Sequence, residues 1–159
     1  MPDSFVEFPL ERAHHLARWQ ELVLDPELAR WPGRVETDRL GRIIVSSIPA
    51  LSHSFYQSDI FRELCDLLPG EALFACPLIT LDGVKVIDVV WIGPEYAAWL
   101  EAQNPVALER APEICVEVLS PSNSKPEMEE ICGLDGKMEF YTADLSAASR
   151  LCPMFPGQL

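Results

Sequence analysis

Positive charge is scarce in this chain. Lysine occurs three times in 159 residues, as Lys85, Lys125 and Lys137, and Lys plus Arg number 12 against 25 Asp plus Glu. A formal net charge of −13 argues against a protein that coats nucleic acid through its own cations, because phosphate neutralisation needs Lys and Arg. It leaves room for an enzyme that meets phosphates through bound metal. The acids are spread along both halves, as on a solvated surface, and do not form an acidic tail. Cysteine is sparse too. Cys65, Cys76, Cys115, Cys132 and Cys152 are odd in number and never in C-x-x-C spacing, which argues against a disulfide framework and a zinc site. Several lie in apolar runs, where Cys acts as a small hydrophobe, and a reducing compartment fits them. MPDSFVEFPLERAHH has neither a basic start nor a long apolar stretch, and no later segment is long enough to span a bilayer. The expectation is a soluble, cytoplasmic protein without signal peptide or membrane contact. A glycine-rich phosphate loop and a readable Ser-His-Asp arrangement are also missing.

What is present is a foldable chain. Its length fits one domain covering residues 1–159, and 48% hydrophobic residues make disorder a poor description. Residues 10–22 carry Leu10, Ala13, Leu16, Ala17 and Leu22 at helical spacing, and a short helix over 26–31 is broken by Pro32-Gly33. Residues 1–33 therefore read as an N-terminal helical extension. RVETDRLGRIIVSS predicts two short strands around a turn at Arg39–Gly41. Residues 52–68 are again helical, up to Pro69-Gly70. ALFACPLITL and VKVIDVVWIG predict a hairpin turned by Asp82-Gly83, and Pro94 opens a short helix to about Leu100. Residues 113–119 predict a buried strand, 125–142 a last helix, and 142–159 a divergent tail. The order of elements implies an α/β or α+β domain, a mixed sheet with helices packed on it.

Two acids stand in the most strand-like runs. Asp88 lies within VKVIDVVWIG and Glu117 within PEICVEVLSPSNS, each flanked by apolar residues. A carboxylate in such a place is costly unless it is paired, hydrogen-bonded or bound to a cation. On neighbouring strands, Asp88 and Glu117 would converge on one hard divalent ion such as Mg²⁺ or Mn²⁺. The competing reading is plain: strand faces alternate, so either acid can point to solvent beside an apolar neighbour.

VIDVVWIGPE, PEICVEVLSPSNS and GKMEFY together resemble the restriction endonuclease family called Uma-two, of the PD-(D/E)XK nuclease superfamily. VETDRLGRIIVSSIPALSHSF resembles the entry hairpin of that family and the His that opens its next helix. The resemblance runs from about Val35 to Tyr141 and is most specific at EVLSPS. It implies a restriction-endonuclease-like core: a mixed β-sheet flanked by helices. It further implies Mg²⁺-dependent hydrolysis of phosphodiesters in DNA, with Asp88, Glu117 and Lys137 as catalytic residues. Asp88, Glu117 and the main-chain carbonyl of Val118 would be metal ligands. Lys137, on a helix that also carries Tyr141, would orient the water or offset negative charge developing on the phosphate. Glu36 and His53 fall on accessory positions, Glu36 as a further ligand or a group orienting a water.

The chain departs from the family in three places. Ile87 replaces a Pro before the Asp. Leu119 stands where the wider superfamily has its Lys, leaving that part to Lys137. DLSAASRLCPMFPGQL replaces a Glu-Tyr-Trp-Leu-Val-Asp strand. Each site residue also has a structural reading: a solvated helix position for Lys137, a polar hairpin face for Glu36, a helix N-terminus for His53. His14 and His15 read as surface, Ser120 and Ser122 as turn or cap residues, and Trp19, Trp31, Trp91 and Trp99 as core or dimer contacts. A homodimer would gather Arg34, Arg39, Arg42 and Arg62 into a basic groove for DNA. The alternatives to a nuclease are a catalytically inactive binding or assembly module on the same fold, and an unrelated metal-dependent hydrolase.

Overall fold

A computed structural model describes residues 7–119 and 139–144. Its elements in chain order are α1 (Glu7–Leu22), a 3₁₀ turn (Leu28–Arg30), β1 (Val35–Thr37), β2 (Ile43–Val45), α2 (Leu51–Leu67), β3 (Glu71–Thr80), β4 (Gly83–Ile92), α3 (Pro94–Gln103), β5 (Ile114–Leu119) and β6 (Glu139–Asp144). The main sheet runs β3-β4-β5-β6, and β1 and β2 form a separate antiparallel hairpin. β3, β4 and β5 are antiparallel neighbours, whereas β6 joins β5 in parallel. The expected mixed sheet with flanking helices is what forms, in an α+β arrangement.

The local signals act through simple chemistry. The ring of Pro94 presets the first turn of α3, which ends at Asn104 in the left-handed conformation (φ 46°). α2 stops at Leu68, which is extended, as the steric demand of Pro69 requires. The β3–β4 hairpin pairs Thr80 with Gly83, and the Thr80 hydroxyl donates to the Gly83 carbonyl oxygen at 2.8 Å. Gly83 has φ 107°, and a Cβ there would fall on the carbonyl oxygen of Thr37. Only glycine lets β1 lie so close to the tip of β4.

Two apolar layers enclose the sheet. Ile60 and Leu64 of α2 pack with Val89, Val116 and Val118. Tyr96 and Ala97 of α3 pack with Ile87, Val90, Ile92 and Cys115. Trp19 and Leu22 of α1 close the hairpin end against Ile79 and Val84. Val84, Ile87, Val89, Val90 and Cys115 are fully buried, so β4 and β5 read as almost continuous apolar runs because they form the middle of the sheet.

Two sequence expectations are corrected here. His15 is buried, not on the surface, with its Nε2 3.3 Å from the carbonyl oxygen of Leu81. It lies one helical turn before Trp19 and shares its inward face. The helix expected over 125–142 does not extend to its end. Glu139 begins a strand, and Tyr141 pairs with Val116 on β6. Phe140-Tyr141-Thr142 are good strand formers, and docking on β5 supplies the ladder that a helix would have supplied internally. Residues 125–138, with Lys137, Ser120 and Ser122, lie outside the described residues.

Candidate active site

The ladder between β4 and β5 pairs Trp91 with Ile114, Val90 with Cys115 and Val89 with Val116, and then stops. The next opposed residues would be Asp88 and Glu117. In the opening, the Asp88 side chain takes over the role of the ladder. Its Oδ2 accepts from the buried Val118 N–H at 2.8 Å. The other neighbour of β4 is interrupted at the same level. Phe74 pairs with Val89 and Cys76 with Ile87, but Ala75 between them sits in the left-handed region at φ 48°. The Asp88 carbonyl oxygen is satisfied from α2, by the Gln57 side-chain N–H at 2.7 Å. Both ladders therefore break around Asp88, and side chains replace main-chain bonds.

Asp88 is 1% exposed, and it is held from three directions. Its Oδ1 accepts from the Arg34 guanidinium and lies 3.2 Å from His53 Nε2. Arg34, just before β1, also reaches Glu117 Oε2 at 3.7 Å and Glu36 Oε1 at 4.0 Å. Among the described residues it is the one Arg or Lys side chain paired with these three carboxylates. Glu36 Oε1 further accepts from the Val86 N–H at 2.7 Å, which ties the hairpin to β4. A second tie is the Val84 N–H donating to the buried Thr37 hydroxyl at 2.8 Å.

The electrostatics follow from this geometry. Burial lowers the Arg34 pKa, but the nearby charges of Asp88, Glu117 and Glu36 outweigh it, so the net shift is upward. For Glu117, burial raises the pKa well above the usual carboxylate range, and Asp88 adds to the rise while Arg34 opposes it. Among the described residues, one guanidinium faces three acids.

Asp88, Glu117, Glu36 and His53 are thus brought together, from β4, β5, β1 and the first turn of α2. Neither central acid points to solvent: Asp88 and Glu117 are both buried. Val118, expected to lend its carbonyl, meets the cluster through its amide. Lys137 lies outside the described residues, and Tyr141 stands on a strand. Three of the four arginines expected in a basic groove meet carboxylates within the chain. Arg34 turns inward to the acids, Arg42 pairs with Asp38 at 2.6 Å, and Arg62 pairs with Asp59. Each has a carboxylate within reach on its own or a neighbouring segment, as the acidic excess dictates.

Two residues of the site escaped sequence reasoning. The sequence reading assigns Arg34 to a basic groove of a dimer and not to the acids, although it stands two residues before Glu36 and so shares a strand face with it. Gln57 had no assignment, although it lies one turn after His53 on α2.

The donor chemistry fits a hard divalent cation. Carboxylate oxygens are its natural ligands, and Mg²⁺ is usually held by one or two carboxylates plus waters and substrate phosphates, not by a full protein cage. Among the described residues, no group of three or more His, Cys, Asp or Glu side chains is arranged to hold a metal ion. Burial first and the neighbouring Asp88 second raise the Glu117 pKa, and a cation beside the pair would oppose that rise.

Comparison with known proteins gives structural likeness and no family. No family model matches the chain, and no curated protein matches it. Among solved structures it is similar to a "putative nuclease belonging to DUF820" from Anabaena variabilis, at 20% identity and a TM-score of 0.45. The match covers 66% of this chain and 63% of that one. No helix among the described residues is long and apolar enough to cross a membrane.

Proposed function

We propose that the chain is a divalent-metal-dependent endonuclease with a restriction-endonuclease-like fold, cleaving phosphodiester bonds in DNA. One observation carries this reading: Asp88 and Glu117, from adjacent strands, meet in a buried opening of the ladder, where both are within reach of the Arg34 guanidinium. Asp88 and Glu117 would hold Mg²⁺ or Mn²⁺, with Val118 beside them. The ion would supply positive charge to the phosphate and acidity to a water. Asp88 is fixed in place by the Val118 amide and by His53, so its carboxylate needs no reorganisation. Glu36 is held by the Val86 amide at the rim of the same cluster. Lys137 is proposed to offset charge at the phosphate, following the Uma-two resemblance.

The test is plasmid cleavage with Mg²⁺ or Mn²⁺, by the parent protein beside Asp88→Ala, Glu117→Ala and Lys137→Ala. Cleavage by the parent and its loss in the first two variants supports the reading. Intact plasmid in every lane, at all metal concentrations, rejects it. A second reading, an inactive binding or assembly module on the same fold, is favoured by the Arg34–Asp88 ion pair, which gives the acid a partner without any metal. Calorimetry with Mn²⁺ separates the two, since only the nuclease reading requires heat of metal binding.

A further inference from the structure

We propose that Arg34 is the resident counter-ion of the acid cluster in the metal-free protein, and that it must leave Asp88 for a divalent cation to enter. The inference rests on the metal-dependent reading above and adds a competitor to it. Asp88 has two carboxylate oxygens. Oδ2 is taken by the Val118 amide inside the sheet, at 2.8 Å. Oδ1 is shared by Arg34 and His53. Asp88 and Glu117 would each lend an oxygen to a divalent ion, and the Asp88 oxygen not taken by the Val118 amide is the one Arg34 holds. The same guanidinium lies 3.7 Å from Glu117 Oε2, so it spans the gap that the ion would fill. Two cations at that separation in a half-buried site repel strongly. The exchange is sterically open. The Arg34 side chain is 28% exposed, whereas that of Asp88 is 1% exposed, so the guanidinium has a path to solvent and the acid does not. Pro32-Gly33 precede it, and no element of the sheet has to move. Once displaced, Arg34 stays at the mouth of the cluster, where an incoming phosphate anion would meet it.

The test is Mn²⁺ titration by calorimetry, with the metal-induced rise in Tm as second readout, on the parent and on Arg34→Met and Arg34→Lys. Arg34→Met removes the charge and keeps an apolar stem. Its apparent affinity for Mn²⁺ is expected to rise about tenfold or more, the scale of a typical coupling between sites. Its Tm should fall in EDTA and recover with Mn²⁺ further than the parent gains. Arg34→Lys keeps the charge but lacks the fork that spans two carboxylates. It should fold without metal and bind Mn²⁺ with intermediate affinity, which keeps the test decisive if Arg34→Met does not fold in EDTA. Equal or weaker Mn²⁺ binding by both variants overturns the exchange while leaving the metal site standing. No Mn²⁺ binding by the parent or either variant overturns the exchange and the metal reading together.

Discussion

Replacing Glu117 by Gln in the metal-free protein probes the raised pKa of this acid directly. Glu117 is buried beside Asp88, and burial is the main reason its carboxyl holds a proton well above the ordinary value of 4.5. Between that ordinary value and the folded one, the folded protein carries a proton that the unfolded chain has lost. Stability must then fall as pH rises, because the folded state binds more protons. The contribution is complete below the ordinary value and gone once pH passes the folded one. Within the window the slope is about 1.4 kcal/mol per pH unit for one proton. For a chain of this length that is roughly 3–5 °C in Tm per unit. Gln keeps the shape, offers an amide N–H toward Asp88 and never ionises. Urea unfolding in EDTA, run from about pH 4.5 to 7.5, should therefore show the parent losing stability relative to Glu117→Gln as pH rises. The variant should be the more stable protein at the upper end. Two curves that stay parallel across the range would refute the claim that Glu117 is buried at a net electrostatic cost.

Two further substitutions test how the site is assembled. Asp88→Ala leaves the buried Val118 N–H without its acceptor and Arg34 without its closest acid, so it should cost about 2–3 kcal/mol in urea unfolding. Asp88→Asn keeps an oxygen for that amide and should cost clearly less; equal costs would mean the amide bond contributes nothing. Thr37→Val should cost about 1–3 kcal/mol, because the Val84 N–H loses its only side-chain acceptor in a buried place. Hydrogen exchange at Val84 that is unchanged by Thr37→Val would show that the hairpin does not depend on this tie.

Sequence reasoning reached the acids because a carboxylate in an apolar run is conspicuous. Asp88 and Glu117 each interrupt a strand that is otherwise buried, and the energetic cost of that placement demanded a partner. It missed the partner. Arg34 looks like any other arginine before a hairpin, and nothing near it in sequence says that β1 will lie across β4. That approach depends on Gly83, whose missing side chain leaves room for Thr37. Gln57 was missed for a related reason: its acceptor is a main-chain carbonyl freed by the break at Ala75. The strand at Glu139–Asp144 is not legible locally, because its strand-forming residues follow a helix-like stretch and depend on β5 for an edge to join.

The amino-acid sequence by itself determined the elements whose causes are local. Pro94 starts α3, Pro69 ends α2, and apolar runs bounded by turn residues make the β3–β4 hairpin and β5. It also determined that the two most strand-like runs carry an acid each, and that acids outnumber basic residues about two to one. Tertiary structure alone decided which cation those acids share, where the ladder opens to hold them, and how burial raises the Glu117 pKa. Those outcomes depend on distances between residues dozens of positions apart. In this fold Arg34 meets Asp88 across 54 positions of chain, and Asp88 meets Val118 across 30, so no local pattern records either contact.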